Sequence, residues 1–123
     1  MFKISKEFHF SASHQLPQMP DGHPCKRLHG HNYVIIIELM SYELDEYGFV
    51  LDYHELDGVK RFIDDVLDHR HLNDIFPVPP TAEYMSKFIY DKFKHDIPQL
   101  YSVSVKETPK TIATYSGWND IKK

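Results

Sequence analysis

From Phe2 to His14 the chain alternates. Phe2, Ile4, Phe8, Phe10 and Ala12 share one parity, and Lys3, Ser5, His9 and Ser11 take the other. Period-two alternation predicts a strand with one buried face. His14 falls on the apolar parity. The stretch Leu16 to Pro24 holds Pro17, Pro20, Gly22 and Pro24, breakers that force a loop. It is long for a hairpin connection, and long ordered loops are disproportionately functional. A second strand is predicted from about His29 to Glu43, rich in β-branched residues. Asp45 to Gly48 reads as a turn and Phe49 to Leu51 as a short third strand.

Helical spacing takes over next. Asp52 and Glu55 have the separation of a capping box. Leu56, Val59, Phe62, Ile63, Val66 and Leu67 follow on one helical face, which predicts a helix ending near Asp68 to His71. After a Pro-rich loop, Thr81 caps a second helix with Met85, Phe88, Ile89 and Phe93 on its face, ended by Pro98. A fourth strand carries Tyr101, Val103, Val105 and Glu107 on one parity. Thr111 to Tyr115 reads as a fifth. The order β-β-β-α-α-β-β predicts an α+β domain, an antiparallel sheet backed by helices.

Composition narrows the class. The chain has 123 residues, 41% apolar and 14% aromatic, enough for a single domain over 1–123 with a real core. One Cys excludes an internal disulfide. A formal charge of −4 argues against a nucleic-acid binder. The longest apolar run, Val34 to Ile37, falls far short of the roughly 20 residues of a membrane span. No secretory signal pattern opens the chain, so a cytoplasmic protein is expected. The 9 histidines are the conspicuous excess.

Three of these histidines form a pattern. His29 and His31 are two apart on a strand, so their side chains share a face. Gly30 between them permits close backbone approach. If the first two strands pair, His14 comes within reach of both. Three histidines without a fourth protein ligand match an open zinc site. Other residues leave alternatives open. Cys25 is either a small buried residue or a thiolate base whose pKa is lowered by nearby cations or a metal. Asp68-His69 is either a histidine favoured by a helix C-terminus or a proton relay. Glu107 lies on the apolar parity of its strand, where a carboxylate needs hydrogen bonds. It is either a solvated strand end or an acceptor for the paired N–H groups of a heterocycle. A zinc hydratase or hydrolase, or a non-catalytic metal-binding module, fits the same residues more loosely.

Five motifs together resemble one family. They are Phe8 to His14, Cys25-x-x-x-His29-Gly30-His31-Asn32-Tyr33, Leu67-Asp68-His69 with Leu72-Asn73, Pro80 to Glu83, and Val105 to Thr108. In this order they resemble the 6-pyruvoyl-tetrahydropterin synthase family. The short Cys25 to His29 spacer is similar to its carboxy branch. The pyruvoyl branch has a longer spacer, and a folate-linked branch carries a Glu that is absent here. The resemblance implies a tunnelling fold, a homohexamer and sites between subunits. It implies a lyase acting on 7,8-dihydroneopterin triphosphate in queuosine biosynthesis. His14, His29 and His31 would hold Zn²⁺, Cys25 would take a proton, and Asp68 and His69 would relay it. Glu107 and Thr108 would bind the pterin edge. Charge alone suggests Lys26, Arg27 or Lys106 for the triphosphate. The tail from Ser116 to Lys123 has no counterpart in the motif pattern.

Overall fold

The computed structural model describes residues 1–117, so most of that tail lies outside the described residues. The two alternating segments become β1 (Phe2–His14) and β2 (His29–Ser41). They pair antiparallel along their whole length, with Phe8 opposite Ile35, Phe10 opposite Tyr33 and His14 opposite His29. Further along the chain, β3 (Leu100–Thr108) pairs with β2, and β4 (Thr111–Tyr115) pairs with β3. The sheet order is β1-β2-β3-β4.

The predicted parities choose the buried face. Phe8, Phe10, Tyr33, Ile35, Ile37, Val103 and Val105 are buried in one cluster with Leu56, Val59, Ile63, Leu67, Met85 and Ile89 of the helices. Each such side chain contributes about 1.5–3 kcal/mol through burial. Ser5, Glu7 and His9 project to the other face and are exposed.

Three expectations need correction. Phe49 to Leu51 is not a strand. The Asp45 carboxylate accepts from the Tyr47 and Phe49 N–H groups, and the Asp45 N–H donates to the Phe49 carbonyl at 2.8 Å. This turn uses the backbone groups that a strand would have offered to a ladder. The sheet therefore has four strands. The first helix is also not one α-helix. A 3₁₀ turn (Tyr53–Leu56), α1 (Asp57–Phe62) and a π segment (Ile63–Leu67) follow one another. Asp52 does cap it, but its carboxylate takes the His54 N–H instead of forming the box with Glu55.

The second helix, α2 (Ala82–Lys94), starts as expected. Thr81 Oγ1 accepts from the Tyr84 N–H at 3.2 Å.

Candidate active site

The strand register assembles the histidines. His14 lies directly across from His29, and Ala12 across from His31. All three therefore project from the core face at the end of the sheet. One ligand atom from each lies within 4.8 Å of the others. Gly30 sits where the strands crowd, since a Cβ there would meet the Ala12 carbonyl oxygen at 3.3 Å.

Hydrogen bonds orient the rings. His14 Nδ1 is 2.9 Å from the Pro80 carbonyl oxygen, and His29 Nδ1 is 2.7 Å from that of Arg27. A carbonyl only accepts, so these partners assign the proton to Nδ1 and leave Nε2 as a lone pair. His14 Nε2 and His29 Nε2 then face each other at 2.9 Å. His31 Nε2 is buried without a hydrogen-bond partner. Opposed lone pairs beside an orphaned buried nitrogen suit imidazoles poorly and suit a shared cation well. Burial pushes the pKa of His14 and His31 down, which favours the neutral, ligating form. These three residues could hold a metal ion.

Glu107 is the fourth polar group of this corner. Its Oε1 accepts from the Ala82 N–H at 3.2 Å, and its Oε2 lies 3.3 Å from His31 Nε2. The carboxylate on an apolar parity is thus partnered, as its burial requires. The solvated strand-end alternative is set aside. Tyr33, which parity assigns to the core, also belongs here: its hydroxyl is 3.3 Å from His14 Nδ1. Burial first and Glu107 second push its pKa up, so the phenol stays protonated. A motif neighbour gave its position, but only the ring packing shows its contact.

Cys25 sits on a 3₁₀ turn (Pro24–Lys26) and is half-buried, not a core residue. The ligand cluster does not include it. Asp68 and His69 leave the π segment, whose wide turn ends with the Asp68 N–H donating to the Ile63 carbonyl at 2.9 Å. His69 takes a left-handed φ of 58°. Asp68 Oδ1 accepts from the Ser11 N–H, and Oδ2 is 2.8 Å from His69 Nδ1. The Ser11 N–H and then His69 hold the Asp68 carboxyl below its ordinary range. The His69 side chain is 81% exposed.

Two grooves of about 490 Å³ each meet at Gly30, His31 and Asn32. One continues over Ser11, Ser13, His69 and Arg70. The other continues over Lys106, Glu107 and Thr108. Thr108 Oγ1 is engaged with Thr111 Oγ1 in the β3–β4 turn at 2.9 Å. Of the suggested phosphate contacts, Lys106 lines a groove, whereas Lys26 is paired with Asp21. Arg70 lines a groove and carried no motif signal.

This arrangement has relatives. The family model described as 6-pyruvoyl tetrahydropterin synthase matches residues 3–117. A Bacillus subtilis 6-carboxy-5,6,7,8-tetrahydropterin synthase is 32% identical, covering 93% of this chain and 84% of its own. The Synechocystis protein of the same name is 36% identical over 94% of this chain and 93% of its own. The solved Caenorhabditis elegans 6-pyruvoyl tetrahydropterin synthase superposes with a TM-score of 0.82 at 30% identity, covering 94% and 95% of the two chains. The chain therefore belongs to the 6-pyruvoyl tetrahydropterin synthase family, with its tunnelling fold.

Proposed function

We propose that the chain acts as a 6-carboxy-5,6,7,8-tetrahydropterin synthase. This lyase converts 7,8-dihydroneopterin triphosphate to 6-carboxy-tetrahydropterin, acetaldehyde and triphosphate on the route to queuosine. The observation that carries the reading is the convergence of His14, His29 and His31, with the orphaned His31 Nε2 beside Glu107. Relatives bearing the carboxy-synthase name support the product assignment.

His14, His29 and His31 would hold Zn²⁺. When bound, the ion supplies Lewis-acid polarisation of substrate oxygens. The chain's own residues do the rest. Glu107 is anchored through Oε1 by the Ala82 N–H, and its remaining lone pairs receive the N–H donors of the pterin's amino-pyrimidinone edge. Thr108 lines the same groove beside it. Cys25 takes a proton from the substrate side chain. Asp68 holds His69 through Nδ1, leaving Nε2 to pass a proton. The exposure of His69 supports a site completed between subunits of a homohexamer. A cytoplasmic setting goes with this reading, and no helix among the described residues is long and apolar enough to cross a membrane.

The test is product analysis by mass spectrometry after zinc-loaded protein meets dihydroneopterin triphosphate. The expected mass is that of 6-carboxy-tetrahydropterin. A main product of 6-pyruvoyl-tetrahydropterin would move the assignment to the sister activity. Tight pterin binding without turnover, at full zinc occupancy, would show a binding module.

A further inference from the structure

His23 belongs to no motif and lies in the loop between the strands that carry the candidate ligands. Its ring has a specific partner. The Cys25 N–H donates to His23 Nδ1 at 3.0 Å, which makes His23 the N-cap of the turn Pro24–Lys26. A backbone N–H can only donate, so Nδ1 must be unprotonated and the neutral ring must carry its proton on Nε2. The hydrogen bond thus selects one tautomer of one titratable side chain.

The rest of the turn is stitched to the candidate metal site on both sides. The Cys25 carbonyl accepts from the Leu16 N–H at 2.8 Å, two residues beyond His14. The Arg27 carbonyl receives His29 Nδ1 at 2.7 Å. Lys26 N–H closes the turn onto the His23 carbonyl at 3.1 Å. Cys25 is therefore held at its carbonyl by the β1 side and at its N–H by His23. Only the second tie depends on a side chain of the loop.

We infer that His23 is a positioning residue for Cys25, its ring fixing the backbone of the turn that carries the thiol between the strands of the His14–His29–His31 cluster. The inference rests on the proposed function only in taking Cys25 as the group that moves the proton.

The experiment compares zinc-loaded wild type, His23→Leu and His23→Asn. Leu and Asn are close in shape, but only Asn offers an acceptor, and Asn is a favoured N-cap. The readouts are zinc content, thermal midpoint, kcat and KM, and the alkylation rate of Cys25 by iodoacetamide. Cys25 is the one Cys of the chain, so alkylation is site-specific. His23→Leu should keep zinc, lose about tenfold in kcat with KM little changed, and alkylate several-fold faster as the turn loosens. His23→Asn should restore both to within about twofold of wild type. Wild-type kcat and alkylation in His23→Leu would overturn the inference. So would failure of a folded, zinc-loaded His23→Asn to rescue. Full activity in Cys25→Ala would instead remove the Cys25 role from the proposed function, while the alkylation difference would still report on His23.

Discussion

The histidine cluster and the Asp68–His69 pair flank the same groove, but they are built in opposite ways. His14 is 1% exposed, while His69 is 81% exposed. The cluster continues the core: the parity that buries Phe8, Phe10 and Ile35 also aims His14, His29 and His31, so packing sets their spacing. The pair instead hangs from a π segment and a left-handed residue, laid along the outer edge of β1. There the His69 N–H donates to the Ser11 carbonyl, and the Ser13 N–H to the Arg70 carbonyl. The candidate metal half of the site thus converges within one chain, whereas the candidate relay half presents its imidazole outward.

Deleting one member from each half tests the division most severely. His14→Ala should lose zinc and all measurable turnover. A lost ligand costs more than the 10- to 100-fold in affinity typical of an outer-shell partner. Metal analysis after gel filtration, together with product formation, reads both. His69→Ala should keep its zinc and lose roughly 10²–10⁴ in kcat, the range of a positioned acid or base. Zinc loss in His69→Ala would mean that the two halves are not separable. If the site is completed between subunits as proposed, mixing the two inactive variants after partial unfolding should regain activity, with His69 of one chain serving an intact cluster on another. No recovery would show that each chain uses its own pair.

A smaller effect comes from protons. Burial lowers the folded-state pKa of His14 and His31 below 6.5. The unfolded chain therefore binds protons first as pH falls, and stability of the metal-free protein falls with it. The loss begins below about pH 6.5, with a slope of at most about 1.4 kcal/mol per pH unit for each histidine. It stops once the folded state also takes up the protons. Thermal melts of metal-free wild type between pH 7 and 5 should show this decline, and His14→Gln should flatten it.

The same division explains what could be read from the sequence. Parity carried His14 and Glu107 to the core face, and the i, i+2 spacing carried His29 and His31. These are local signals that the pairing register turned into a cluster. The Asp68 contact to Ser11 spans 57 positions, and no local pattern marks it. The π segment reads as regular helix in the sequence because its apolar spacing fits a helix of either pitch. Phe49 to Leu51 looked like a strand because three apolar residues do not reveal that Asp45 has taken the neighbouring N–H groups. His23 carries no sequence signal because its contact is a bond to a backbone N–H two residues away.

The smallest predicted change tests the junction on which the metal half depends. Gly30 does not need a positive φ, which among the described glycines is found at Gly22 and Gly48. Gly30→Ala should therefore gain about 0.4–1 kcal/mol from a stiffer unfolded chain, if space were available. Space is short, because the new Cβ would meet the Ala12 carbonyl oxygen at 3.3 Å. Ala12 has little freedom to yield. It pairs with His31 on one side, and its neighbours Ser11 and Ser13 are bonded to Asp68, His69 and Arg70 on the other. Overpacking at such a site costs about 1–3 kcal/mol, so the net outcome is a loss of about 1 kcal/mol. The displaced strand carries His14, so zinc should also bind a few-fold more weakly. Urea denaturation and a zinc titration with a competing chelator measure the two. A stabilised Gly30→Ala with unchanged zinc affinity would show that β1 can move without disturbing the histidines, and that packing does not set their spacing.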